Sequence, residues 1–136
     1  MAKEAQRRFL ESFLRTYEAG DFERMWEFYS PDCDYAVLDR FGLEKTTERY
    51  QKFMRDFLAA FPDLHHTIEK VVVDDDELWA LYTVAGTHLG SLRGMEPTGR
   101  QVRYAIVGMY TVHDQLITRA DFVSDDLRMM RQLGYA

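Results

Sequence analysis

Arg119 and Asp121 stand two residues apart in the run Arg119-Ala120-Asp121-Phe122, near the end of an alternating apolar stretch. Strand side chains alternate faces, so guanidinium and carboxylate should point the same way, beside Ile117 and Val123. A carboxylate on such a face is half of a structural ion pair or a tuned acid/base group. Burial raises a carboxyl pKa and a nearby guanidinium lowers it, so a base near neutrality needs the two balanced. His88 opens a glycine-bearing loop and suits either a proton shuttle or a loop-organising hydrogen bond. His65-His66 does not read as a metal pair, because neighbours on a strand face opposite sides and no Cys or carboxylate stands at ligand spacing. His113 falls in a turn. Cys33, the single cysteine, has no evident base beside it and can form no intrachain disulfide. There is no phosphate-binding glycine loop, dinucleotide fingerprint or serine elbow.

The elements that must position these groups follow from periodicity. Ala5 to Ala19 predicts an amphipathic helix through Phe9, Leu10, Phe13, Leu14 and Tyr17. Asp21 can cap a short second helix, with Phe22, Met25, Trp26 and Tyr29 on its apolar face, and Ser30-Pro31 stops it. Cys33 to Leu38 predicts a short strand. Thr46 or Thr47 caps the most regular helix, striped by Tyr50, Phe53, Met54, Phe57, Leu58 and Phe61 and ended by Pro62. The period then becomes two. Strands are predicted at His66 to Val73, Leu78 to Gly86, Val102 to Val112 and Leu116 to Val123, with turns at Asp74-Asp75-Asp76 and His113-Asp114. Residues 88 to 100 form a long connection. Ser124 or Asp125 caps a last helix, and Gly134 ends it. Helices segregated from an antiparallel sheet mean α+β, here a curved sheet with a long helix laid across it and a cone between them.

On the long strand, Arg103, Ala105, Val107 and Met109 share one face; Tyr104, Ile106, Gly108 and Tyr110 share the other. A one-residue slip exchanges the two. The candidate substrate-binding set is Tyr35, Trp79, Arg103, Val107, Met109, Phe53 and Phe57, with Tyr104 or Tyr110 also near the substrate. The candidate catalytic set is Asp121, Arg119 and His88, with no metal ligands.

Composition narrows the function. The 136 residues suit one domain, and a net charge of −6 argues against nucleic acid and anionic membranes. Apolar residues make up 46% and aromatics 14%, enough for a core and a pocket of flat side chains. No signal-peptide core or membrane span is apparent, so a soluble, cytoplasmic protein is expected. Apolar residues on both faces of the central strands suggest a homodimer or higher homo-oligomer.

The run GTHLGSLRGMEPTGR, residues 86–100, resembles a signature of the SnoaL-like polyketide cyclases, in the nuclear transport factor 2-like superfamily. AGD (19–21), SPD (30–32), AFPDL (60–64) and LRMMRQLGY (127–135) agree in order. The resemblance implies a cone-shaped α+β barrel and a cyclase of lyase or isomerase type. It would perform cofactor-independent intramolecular aldol closure on a small, hydrophobic, polycyclic ketone. It carries the role of general acid/base onto Asp121, with Arg119 tuning it, and matches His88 to a family histidine. Val107 falls where a cyclase carries a histidine, and Tyr35 where one carries a small amide. Alternatives in the same cone are an epoxide hydrolase using Arg119, Asp121 and Asp34, and a ketosteroid-isomerase-like enzyme with Tyr35 as oxyanion donor. A non-catalytic binding domain is a third.

Overall fold

The computed structural model describes residues 3–136. The order is α1 (Lys3–Glu18), α2 (Phe22–Trp26), β1 (Tyr29–Asp34), α3 (Val37–Arg40), α4 (Thr47–Ala60), β2 (His65–Asp74), β3 (Glu77–Thr87), β4 (Gln101–His113), β5 (Leu116–Ser124) and α5 (Asp126–Leu133). The strands form one curved, unclosed sheet in the order β1-β5-β4-β3-β2. The α+β cone expected from periodicity and resemblance is therefore present. Thr46 caps α4 by accepting from the Arg49 N–H, as its residue type predicts.

Two segments differ from the sequence reading. The strand expected at Cys33 to Leu38 lies earlier, at Tyr29–Asp34, and runs parallel to β5; Val37–Arg40 is a helical turn. The second helix ends at Trp26, before Ser30-Pro31 could stop it; Tyr29, expected on its apolar face, begins β1, and Pro31 sits inside that strand. That strand is at the sheet edge, where a missing N–H costs no ladder bond. Two irregularities also break the alternation. Glu69 is unopposed between the pairs Ile68↔Tyr82 and Lys70↔Leu81. Thr118 is unopposed between Arg119↔Thr111 and Ile117↔Val112. Each adds a residue to one strand only and resets which face the next side chain takes. Ile117 is therefore buried in the core while Arg119 faces the other way, so the two do not share a face as simple alternation predicts.

The inner face of the sheet is covered by α1 and α4. Tyr82, Tyr104, Ile106 and Tyr110 from the sheet join Phe13, Tyr17, Tyr50 and Met54 from the helices in one apolar cluster. The Tyr17 hydroxyl ties the helices together by donating to the Met54 carbonyl at 2.7 Å. The long connection docks on the end of α4: Leu89 and Gly90 N–H both donate to the Ala60 carbonyl, at 3.0 and 3.2 Å. A Cβ on Gly90 would lie 2.3 Å from the Ala59 carbonyl oxygen, so only glycine lets the loop approach this closely.

Gly108 sits among the tyrosines of the inner face. A Cβ there would meet the Tyr82 hydroxyl at 2.6 Å and Tyr110 Cε2 at 2.8 Å. Gly108→Ala should therefore lower stability by about 1–3 kcal/mol, the usual cost of overpacking, read as a reduced urea midpoint at unchanged slope. A wild-type midpoint would mean that the tyrosine pair can move aside freely.

Candidate active site

Between α1, α4 and the inner sheet face lies a narrow cavity of about 60 Å³. Its walls are mostly aromatic: Phe13, Tyr17, Tyr50, Tyr82, Tyr104 and Tyr110 within, Phe41, Phe53, Phe57 and Phe122 toward the mouth. The mouth opens into a second cleft of about 640 Å³ that shares Phe41, Phe53, Phe57 and Arg93 with it and adds Leu43, Leu92, Arg49 and Lys52. Pockets for drug-sized ligands run about 300–1,000 Å³. The inner cavity alone is too small for a polycyclic molecule, but the two spaces together are large enough.

Several polar groups line the inner cavity, among them Tyr82, Tyr104, Tyr110, His66, Ser124 and Asp126. Tyr82 donates its hydroxyl proton to Tyr110 at 3.0 Å, which leaves the Tyr110 O–H available as a donor. Burial pushes the Tyr110 hydroxyl up to about 12, against the opposing effect of the Tyr82 hydrogen bond. Burial drives Tyr82 well above the ordinary tyrosine range, reinforced by Tyr110. Both remain protonated donors at neutral pH. His66, on the inner face of β2, also lines the cavity. Its Nδ1 lies 2.8 Å from Glu18 Oε2, and its backbone N–H donates to the same oxygen at 2.7 Å. Glu18 is further paired with Arg15, and His65 Nδ1 lies 3.4 Å from its other oxygen. Burial pushes the Glu18 carboxyl up, but the hydrogen bonds from His66 and Arg15 outweigh it and keep the group below its usual value. Ser124 and Asp126 also line the inner cavity, where the Ser124 hydroxyl donates to Asp126 Oδ1 at 2.6 Å; at the mouth the Arg93 guanidinium lies 4.7 Å from the centre of the Phe41 ring.

Of the residues singled out from sequence, Phe53 and Phe57 line both spaces, and Tyr104 and Tyr110 line the inner one. Trp79, Val107 and Met109 lie on the outer face of the sheet, joined by the pairs Trp79↔Met109 and Leu81↔Val107. Arg103 is on that face too, exposed. These four stand outside the cavity because the tyrosine-bearing register of β4 is the one that faces the helices. Tyr35 lies behind the lining, its ring stacked on Tyr50 at 4.2 Å. His88 is fully buried outside the cavity: Nδ1 accepts from the Thr98 N–H at 3.2 Å, and the ring packs 5.5 Å from Phe61. It fastens the base of the long connection.

Asp121 is opposite Met109 and so belongs to the outer face, away from the cavity lining. It is nonetheless 4% exposed, because Arg40 from α3 lies across it. The guanidinium makes two parallel bonds, Nε to Oδ1 at 2.8 Å and Nη2 to Oδ2 at 2.9 Å, the strongest geometry for this pair. Arg119 is more distant, 3.8 Å from Asp121 and 3.7 Å from Asp34. Asp34 thus does approach Arg119, as epoxide opening would need, but on this same outer face. The partner that sequence reasoning missed is Arg40, from a segment read as loop. His66 and Glu18 were missed as a pair because they lie 48 residues apart. The one available signal was alternation, which sends one of His65 and His66 inward.

Burial pushes the Asp121 carboxyl up, but the Arg40 hydrogen bonds and charge, with Arg119, hold it below the ordinary value. A depressed folded pKa gives stability that is present above the unfolded pKa and lost as pH falls through the folded one. Asp121→Asn should therefore lower the urea midpoint near neutrality, and the deficit should shrink as pH falls below about 4. A deficit constant with pH would show that the carboxylate charge contributes nothing.

Many solved structures share this fold, and three illustrate it. AclR from Streptomyces galilaeus, a proposed hydroxylase, superposes with a TM-score of 0.87 at 22% identity, covering 99% of this chain and 88% of its own. IdmH from Streptomyces antibioticus, a proposed polyketide cyclase, gives 0.82 at 24%, covering 95% and 98%. A SnoaL-like polyketide cyclase from Agrobacterium tumefaciens gives 0.77 at 21%, covering 98% and 100%. No curated protein matches the sequence significantly. The family model for the SnoaL-like polyketide cyclases matches residues 4–133, nearly the whole described cone with its aromatic cavity, and the chain belongs to that family.

Proposed function

We propose that the protein is a cyclase-type enzyme that closes a ring in a small polyketide by a cofactor-independent intramolecular aldol reaction inside the aromatic cavity. The observation that carries this is the two-part pocket: an inner aromatic space with tyrosine hydroxyls and one imidazole, opening into a wider apolar cleft. The reaction needs a base for a C–H next to a carbonyl, a donor for the alkoxide that forms, and a fixed fold of the substrate. The inner cavity accepts one carbonyl-bearing arm, while the ring system lies against Phe41, Phe53 and Phe57. Flat walls hold the chain in few conformations, which is where much of the rate gain of an intramolecular closure originates. The Tyr110 O–H offers a buried donor to an oxyanion. Arg49 and Arg93 at the cleft suit a polar or anionic tail. In this reading Asp121, held by Arg40 on the outer face, ties α3 to β5.

The outer face carries the other part of the proposal. Val72, Trp79, Leu81 and Val123 are all exposed there, and the strand register makes them neighbours around Val107 and Met109. Monomers rarely expose so large a connected apolar patch. Its rim holds both signs of charge, Glu69 and Lys70 on one side, Arg119 and Asp34 on the other. A second copy, turned by a twofold axis, can meet that rim without like charges facing. We assign this face to a homodimer. Sedimentation should show a dimer at micromolar concentration, and Trp79→Glu should shift it to monomer. A wild-type monomer throughout would remove the dimer.

Ring closure should be detectable by NMR and mass spectrometry with aryl poly-β-ketones and 1,5-diketones. Ile106→Trp, which fills the inner cavity, should reduce turnover more than about tenfold while leaving a cooperative unfolding transition. Asp121→Asn, assayed at neutral pH where it remains folded, should retain turnover. Absence of closure for every substrate class would reject the cyclase reading. Loss of turnover in Asp121→Asn alone would move the reacting site to the outer face.

A further inference from the structure

We propose that His66 is the residue that moves the proton in this cavity, with Glu18 as its positioning residue. The assignment rests on the cyclase reading above and specifies its chemistry. Nε2 of His66 takes a proton from the carbon beside one substrate carbonyl. The electron pair of that C–H bond becomes the enolate, whose carbon bonds to a second carbonyl carbon. The alkoxide so formed takes the proton back from Nε2. Nothing is oxidised or reduced, and the imidazole ends as it began.

Four observations carry this. First, the tautomer is fixed. An ionised carboxylate only accepts, so Nδ1 at 2.8 Å from Glu18 Oε2 must be the protonated nitrogen, leaving Nε2 with its lone pair free. Second, Nε2 meets no hydrogen-bond partner among the described residues, and the ring forms part of the cavity wall. Its rotation is limited by Tyr17 and Tyr82, with ring centres at 6.2 and 5.6 Å. Third, Glu18 occupies the last position of α1, where the helix dipole disfavours a negative charge. The chain compensates with Arg15, the His66 N–H and the His66 ring, an arrangement that mere packing does not require. Fourth, Tyr82 beside the imidazole leads to the free Tyr110 O–H, so base and oxyanion donor border one small space.

The other proton-transfer groups are placed less well. Asp121 is on the outer face, His88 is sealed away from the cavity, and Asp126, which lines the cavity, has one oxygen already taken by Ser124 and, among the described residues, no partner that orients it as Glu18 orients His66. The charged and titratable groups around His66 are Glu18 and Arg15 of α1, Tyr17 beside them, and His65 and Tyr82 of the sheet. The Arg15 guanidinium also donates to the His66 carbonyl at 2.7 Å, which fixes the backbone that carries the ring.

The test uses 1-tetralone, a bicyclic ketone, and follows exchange of its α-protons into D₂O by NMR, alongside the ¹⁵N resonances of the histidine rings. Wild type should accelerate exchange, and its His66 should show an unprotonated Nε2 that shifts when 1-tetralone is added. His66→Gln should lose about a hundredfold or more, the usual contribution of a general base. Glu18→Gln retains the imidazole but not its carboxylate. It should be slower than wild type, and the ¹⁵N resonances of its His66 ring should report a mixture of the two tautomers, because the acceptor that holds the proton on Nδ1 is weakened. A loss of packing alone would leave that tautomer unchanged. His113→Gln, at the exposed β4–β5 turn where, among the described residues, the ring meets only Asp76, should exchange as wild type does. If wild type accelerates exchange and His66→Gln does so equally, the assignment to His66 falls and the cyclase reading stands. If the ¹⁵N spectrum shows Nδ1 unprotonated, the tautomer argument falls with it. If wild type neither accelerates exchange nor shows a His66 shift, both are overturned.

Discussion

The structure depends on how close the inner face of β4 comes to two tyrosine hydroxyls. Gly108 has no side chain, and the Tyr82–Tyr110 pair fills the space that a Cβ would take. This packing joins the centre of the sheet to the cavity. Tyr110 leaves Phe13 edge-on at 6.0 Å, so the floor of the cavity is also the contact between sheet and α1. Buried hydroxyls are costly unless paired, and these two satisfy each other while leaving one donor directed at the remaining space. Stability and site chemistry here rest on the same atoms.

Charge is divided between the two faces of the sheet. The outer face carries the Arg40–Asp121 clamp, with Arg119 and Asp34 beside it, and all of these reach solvent through Arg40, Arg119 or Asp34. The inner face carries the His66–Glu18 pair, both members nearly out of contact with solvent. In the first pair Asp121 is buried while Arg40 is half exposed, so solvent screens part of its contribution to stability. In the second pair only His66 lines the aromatic cavity, and Glu18 holds its ring from the end of α1. The two carboxylates thus suit different work. One fixes α3 on β5; the other controls an imidazole.

The long connection joins these regions. Its base is held by His88 on Thr98 and by the Ala60 carbonyl, and its tip carries Arg93 in a left-handed conformation beside Gly94. The resemblance run at 86–100 is therefore explained by architecture: the glycine and the histidine let a loop seat tightly at the end of α4, beside the cavity mouth. Its residues shape access to the cavity, and only Arg93 among them lines the inner space.

Periodicity alone determined most of the fold. The α4 stripe, the four long strands and the closing helix were legible because a buried face must repeat at the period of its element, while the choice of Thr46 over Thr47 as the α4 cap was left to the structure. So was the inward direction of one member of His65-His66. Sequence did not determine which face of β4 is inside, because both Arg103-Ala105-Val107-Met109 and Tyr104-Ile106-Gly108-Tyr110 are apolar enough to bury. Tertiary packing chose the tyrosines, since only that face combines with Gly108 to accept the helices. The bulges at Glu69 and Thr118 and the edge position of β1 were likewise decided by pairing between strands. So were the two ion pairs, Arg40 with Asp121 over 81 residues and Glu18 with His66 over 48. A local pattern records what a side chain prefers to be near, whereas which distant partner reaches it is settled only when the sheet and helices close on one another.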